Sequence, residues 1–132
     1  MKKLNLLIII VLFVCGFSNI HAQDAWVAPE SSKEITNKVA ESKRASAAKK
    51  GKKIFSSRCV LCHGVSAKGD GPASARLNPK PANLTSSRVQ DQEDGQIFWK
   101  ISNGKGVMPK WESLLSEDER WNLVNYIRTL GS

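Results

Sequence analysis

Apolar and polar positions fall along this chain in blocks. Leu4 to Phe17 is almost wholly apolar behind Lys2 and Lys3, and Ile20-His21-Ala22 places a small residue at a cleavage position, so residues 1–22 read as an export signal. Two other readings share this stretch. One is an uncleaved membrane anchor, because Leu4 to Ile20 carries no charge and sits at the short end of the roughly 17–25 residues of a spanning helix. The other is lipid attachment at Cys15, which has Val14 in front of it where such signals place Gly, Ala or Ser. Residues 23–45 are rich in Ser, Ala, Lys and Glu, contain Pro29, and hold few large apolar side chains after Trp26 and Val27. They predict a flexible linker.

From residue 46 the pattern turns helical. Ser46 is a good N-cap, and a helix is expected from there toward Cys59. Gly51 and Phe55 lie four apart on one face. A glycine inside a helix costs stability, which makes sense where a second helix must cross closely. Residues 64–90, with Gly64, Gly69, Gly71, Pro72, Pro79 and Pro81, read as loop. A second helix is expected from Asp91 to Asn103, with Asp91 as cap, Ile97, Phe98 and Ile101 as its apolar stripe, and Gly104 as its stop. After a loop over 105–115, Ser116 opens a last helix with a capping box to Glu119. Leu123, Val124, Ile127 and Leu130 share one face, and Gly131 ends it. No strand pattern of convincing length occurs and no repeat is visible. The expected fold class is all-α, with one domain over 46–132 too small to build a large core without a staple.

Composition narrows this further. Residues 23–48 balance their charges, whereas residues 49–132 hold 14 basic and 8 acidic side chains. Such an excess fits either steering toward an acidic partner or membrane surface, or solvation alone. Nucleic acid is not expected: no basic run is interleaved with aromatics, and the chain reads as exported. Without residues 1–22, the remaining cysteines are Cys59 and Cys62, the remaining histidine is His63 and the remaining methionine is Met108.

Those residues carry the chemistry. Cys59-Val60-Leu61-Cys62-His63 reads C-x-x-C-H, the attachment pattern of a c-type haem: two thiols spaced to add across the two vinyl groups, and an imidazole adjoining them to bind the iron. An exported C-x-x-C disulfide would close a tiny loop and constrain little of the unfolded chain. A structural zinc site needs four protein ligands, and only three stand here. A thioredoxin-like pair needs a βαβ setting that the pattern lacks. Gly69-Asp70-Gly71 lacks the lysine and hydroxyl spacing of a phosphate loop. By elimination the iron's second ligand is Met108, in a glycine-flanked Met-Pro loop between two helices. Histidine plus methionine raises the potential and leaves no open coordination position.

The ordered set of motifs resembles a class I bacterial monohaem cytochrome c, akin to the small haem domains of some terminal oxidases. It runs over about residues 46–131: Gly51 and Phe55, then Cys59 to Gly64, Gly69-Asp70-Gly71-Pro72-Ala73, Pro81-Ala82-Asn83-Leu84, Asn103-Gly104, Met108-Pro109, and Leu123 to Ile127 with Tyr126. The resemblance implies three to four helices around one covalently attached haem c. It implies that the first and last helices cross near Gly51 and Phe55, against Leu123 and Tyr126. It casts Pro72 as the residue whose carbonyl accepts the imidazole hydrogen bond. Trp99, Lys100 and Arg76 become candidates for haem contact or propionate pairing, and Trp111 for shielding the haem edge, whereas Trp121 is expected in the core.

The function expected from this is single-electron transfer in the periplasm, between a membrane respiratory complex and a terminal oxidase or reductase, without catalysis by the chain itself. Redox partner proteins with an acidic docking surface would meet it in brief, salt-sensitive contacts. Two readings compete: a haem-bearing subunit or tethered domain of a larger oxidoreductase, and a five-coordinate haem enzyme such as a peroxidase if Met108 is not bound.

Overall fold

The computed structural model describes residues 26–131. The predicted export signal and Cys15 lie outside them. Among the described residues there are five α-helices and no strand, only an isolated bridge between Lys105 and Met108. None of these helices is long and apolar enough to cross a membrane.

Helix α1, Arg44–Arg58, starts two residues before the expected Ser46 cap and has Lys43 at its N-cap, with no side-chain cap bond. Ser46 is an exposed residue inside it. Helix α2, Val60–His63, is one turn, and α3, Ser87–Gln90, is another inside the expected loop. Helix α4, Asp94–Asn103, begins later than the sequence suggested: Glu93 and Gln96 form its capping box, so the cap is not Asp91. Helix α5, Glu117–Arg128, opens on the expected box. The Glu119 N–H donates to Ser116 Oγ at 3.2 Å, and the Ser116 N–H donates to Glu119 Oε2 at 2.8 Å.

The most extensive packing is between α1 and α5. Ala47, Ala48, Gly51 and Phe55 are the buried face of α1. The Phe55 and Tyr126 rings stand 5.2 Å apart. Trp121 is fully buried and stacks on Phe98 of α4 at 4.1 Å, in the core as expected. Arg120 is buried with them; its guanidinium lies over Phe98 and donates to Ser102 Oγ. Aromatic area of this kind dominates the energetics of a small core.

The flexible-linker expectation for 23–45 is corrected over residues 26–43. A 3₁₀ turn, Glu30–Glu34, lies on α4, where a side chain at Gly95 would collide with the Ser32 and Ile35 carbonyls. Ala28 and Ser32 are buried, and Ile35 and Val39 pack against the core. Polar contacts fix the arm. Asn37 Nδ2 donates to Asp94 Oδ2 at 2.8 Å, and Lys38 pairs with Glu117 at 2.6 Å.

Asp94 is the hub of that seam. Arg128 Nε donates to its Oδ1 at 2.6 Å, while the same guanidinium donates to the carbonyls of Gln90 and Gln92. Burial pushes the Asp94 carboxyl up, but the hydrogen bonds from Asn37 and Arg128 and the Arg128 charge outweigh it, and its pKa is lowered. A carboxyl depressed in the folded state stabilises fully above its unfolded value, about 3.9, and that stability is lost as pH falls through the folded value. Thermal unfolding below about pH 4 is therefore expected to fall more steeply in the native chain than in Asp94→Asn. Parallel acid profiles would remove Asp94 from the seam's energetics.

Candidate haem-binding site

Helix α1 runs straight into the C-x-x-C-H turn. The Cys59 N–H closes α1 on the Phe55 carbonyl at 2.9 Å, and the His63 N–H bonds the Cys59 carbonyl at 2.8 Å. A returning loop then takes the carbonyls of this turn. Gly69 N–H donates to His63 O at 2.9 Å, Gly71 N–H to Cys62 O at 3.2 Å, and Ala73 N–H to Leu61 O at 3.0 Å. Ser66 Oγ donates to both Asp70 carboxylate oxygens at 2.9 Å, pinning the loop's tip. The turn thus has its backbone satisfied by one contiguous segment, which leaves its side chains free for other work.

Cys59 and Cys62 are unbridged and half-buried. Burial, with the neighbouring Cys62 thiol, pushes Cys59 up to about 12. It is a protonated thiol at neutral pH. No group of three or more Cys, His, Asp or Glu placed to hold a metal ion occurs among the described residues.

His63 is half-buried, with its ring 6.4 Å from Phe55. Its Nδ1 stands 3.2 Å from the Ala82 carbonyl. A carbonyl only accepts, so Nδ1 carries the proton and Nε2 keeps its lone pair. Burial lowers the ring's pKa, partly offset by the Ala82 bond, which favours this neutral tautomer. The acceptor is therefore Ala82 and not Pro72, which is exposed on the returning loop. The path of the chain explains the difference. Leu84 N–H bonds Ala67 O at 2.8 Å, drawing the 81–84 segment over the turn. The sequence held a signal for this in Asn83, whose side chain accepts from Thr85 N–H at 2.9 Å and fixes the bend just after Ala82.

Met108 is half-buried against the core in a closed turn, with Met108 N–H to Lys105 O at 3.0 Å and Lys105 N–H to Met108 O at 3.2 Å. Trp111 follows in a 3₁₀ turn, Trp111–Ser113, and is buried in the core cluster. The other aromatic and basic candidates have different neighbours. The Trp99 ring lies 6.3 Å from Trp26 of the arm. Lys100 Nζ donates to Gln92 Oε1 at 2.6 Å and sits over the Trp26 ring. Arg76 is exposed at the end of a 3₁₀ turn, Ser74–Arg76. The arm thus packs against Trp99 and Lys100.

Two unbridged thiols, an imidazole nitrogen with a free lone pair and exposed apolar side chains on the same turn fit a large apolar cofactor. Four of the five large apolar side chains exposed among the described residues fall on the two donor-bearing segments: Leu61 and Val65 beside His63, Val107 and Leu114 beside Met108. Exposed apolar side chains of this kind mark a place for a hydrophobic ligand or partner.

A small helical domain with crossing first and last helices and a thiol–imidazole turn at the end of the first defines a cytochrome c fold. The family model described as cytochrome c oxidase, cbb3-type, subunit III matches residues 46–127, and the chain belongs to this family of cytochrome c domains. Haem is the cofactor that membership implies. The chain is 31% identical over 88 residues to the cbb3-type cytochrome c oxidase subunit CcoP of Azospirillum brasilense, covering 66% of this chain and 30% of that one. It thus spans less than a third of that relative's length. It is 29% identical to cytochrome c6 of Gloeothece citriformis over 96% of this chain and 93% of that protein. Among solved structures, the reducing HAO-like protein complex of Kuenenia stuttgartiensis aligns with TM-score 0.57 and 25% identity, covering 73% of this chain and 49% of that one. Cytochrome CL of Methylophaga aminisulfidivorans shares the fold, with TM-score 0.54, 21% identity, and coverage of 76% and 68%.

Proposed function

We infer that this chain is an exported electron carrier with one haem c, attached through Cys59 and Cys62 and ligated by His63 and Met108. The observation that carries the reading is the His63 tautomer: Nδ1–H is spent on the Ala82 carbonyl at 3.2 Å, so the nitrogen with the free lone pair belongs to the same turn as two unbridged thiols. Haem, when bound, supplies an iron that takes up and returns one electron. The residues' part is to position. The 69–73 loop holds the turn by its carbonyls, Ala82 orients the imidazole, and the Lys105–Met108 turn presents the thioether. Orientation of a ligating histidine through its second nitrogen is how a surrounding shell tunes a metal.

The electrons pass between a membrane respiratory complex and a terminal oxidase or reductase, in the periplasm. Resemblance along 93% of a cytochrome c6 supports a small free carrier. Resemblance to a cbb3 oxidase subunit supports the alternative of a haem-bearing subunit or tethered domain. A chain fully ligated on both sides of the iron has no place for substrate, so the catalytic step belongs to its partners.

Expression in a host with haem-attachment machinery tests this, by intact mass and visible spectra. The native chain is expected to gain the mass of one haem and, when reduced, to resist carbon monoxide. Met108→Ala is expected to keep the haem and bind carbon monoxide readily. A colourless, matured protein with both sulfurs free or joined to each other would overturn the reading. An unchanged spectrum in Met108→Ala would remove that ligand alone.

A further inference from the structure

Between Glu41 and Asp70 the chain carries eight basic residues and no acidic one. Helix geometry sorts four of them onto one surface. Gly51 and Phe55 turn α1 toward α5, and Lys49, Lys52, Lys53 and Ser56 follow one another at helical spacing on an exposed stripe, where they line a single shallow groove. Lys50 is exposed beside them. None of the four lysines joins any ion pair among the described residues, whereas Lys33, Lys38, Arg44, Lys110 and Arg128 each have a carboxylate. The Ser56 and Ser57 hydroxyls turn back to their own helix's carbonyls, at 2.9 Å to Lys52 O and 3.2 Å to Lys53 O. The stripe's polar heads are therefore ammonium groups alone.

Its chemistry selects the kind of partner. A long-lived protein contact draws its energy from a few desolvated aromatic, apolar or arginine anchors, and its charged patch faces a complementary patch whose positions are fixed. The stripe has no aromatic, no apolar centre and no acid. Compact point charges on flexible stems suit a surface whose negative groups can move sideways to meet them. We propose that the outer face of α1 seats this domain on an anionic lipid surface, with the headgroup phosphates paired to Lys49, Lys50, Lys52 and Lys53. Each lysine at such a surface contributes about fivefold in partitioning. Lys53 and Cys59 lie on one run of helix, about 9 Å apart along its axis at 1.5 Å per residue, so the seat would hold the C-x-x-C-H turn close to the headgroups. The proposal stands on the charge pattern and does not depend on the electron-carrier reading.

Sedimentation of the full chain with vesicles tests it, using phosphatidylcholine alone and phosphatidylcholine mixed with phosphatidylglycerol. The native chain is expected to partition more strongly onto the mixed vesicles and to lose that excess as salt is raised. The triple variant Lys49→Glu, Lys52→Glu, Lys53→Glu is expected to lower the excess by about 100-fold or more. A variant with the same change in net charge outside α1 (Lys68→Glu, Lys80→Glu, Arg88→Glu) is expected to keep most of it. The apolar segment at residues 4–20 contributes alike to both vesicle types, so the difference isolates the charge. Equal partitioning onto the two vesicles would overturn the proposal, as would equal losses in the two triple variants. So would native binding confined to an acidic protein, with no excess on anionic vesicles.

Discussion

Gly51→Val is expected to lower the unfolding free energy by about 3 kcal/mol, at the upper end of what overpacking a well-fitted contact ordinarily costs. A Cβ at this position would stand 2.0 Å from the Asn122 carbonyl oxygen and 2.9 Å from Tyr126 Cβ. The obstacle is backbone, so no side-chain rotation relieves it, and α1 and α5 must move apart. That movement strips contacts from Phe55 and Tyr126, the pair that links the helix crossing to the His63 ring. A glycine inside a helix forfeits only about 0.5–1 kcal/mol relative to alanine, so the crossing outweighs the propensity. Urea denaturation checks this: the midpoint should fall with the slope unchanged. Lys53→Val, on the exposed face of the same helix, should stay within about 0.5 kcal/mol of the native chain. A Gly51→Val midpoint matching that control would show that the helices do not cross there.

The crossing and the C-x-x-C-H turn were legible because their signals are local or carried by residue type. Gly51 four residues before Phe55 marks a close approach, and Ser116 three before Glu119 marks a helix start with a defined bond pattern. The arm was not legible for the opposite reason. Its buried anchors are small, Ala28 and Ser32, and its polar ties reach Asp94 and Glu117 far along the chain. A local window sees only a polar stretch with one proline. It also lies outside the family match, which begins at residue 46. The resemblance cast Pro72 as the acceptor by residue type, whereas a carbonyl acceptor can come from any residue. Which carbonyl reaches the imidazole depends on how the 64–86 loop folds back, and that is set by the Ala67–Leu84 bond across it. Glu93 displaced Asp91 as helix cap because its partner, Gln96, stands at the reciprocal position of a capping box.

Gly69→Ala is expected to damage the site as well as the fold. Gly69 holds φ +77° and donates its N–H to the His63 carbonyl. A Cβ there would stand 2.2 Å from the Pro81 carbonyl oxygen, on the chain segment that delivers Ala82 to the His63 ring. Gly106 provides the comparison: its φ is +58°, yet a Cβ there would meet nothing within 4 Å. Both substitutions incur the left-handed backbone cost of about 1–2 kcal/mol. Only Gly69→Ala adds a collision with backbone, so it should lose about 2 kcal/mol more than Gly106→Ala. The loss should be accompanied by faster exchange of the His63 Nδ1 proton, seen by NMR, because the Pro81–Ala82 segment must retreat from the ring. In the haem-loaded protein the same retreat should shift the reduction potential, since an imidazole released from its acceptor is a weaker donor. If Gly69→Ala and Gly106→Ala lose equal stability and leave the His63 proton equally protected, the 81–82 segment is held by something other than its contact with Gly69.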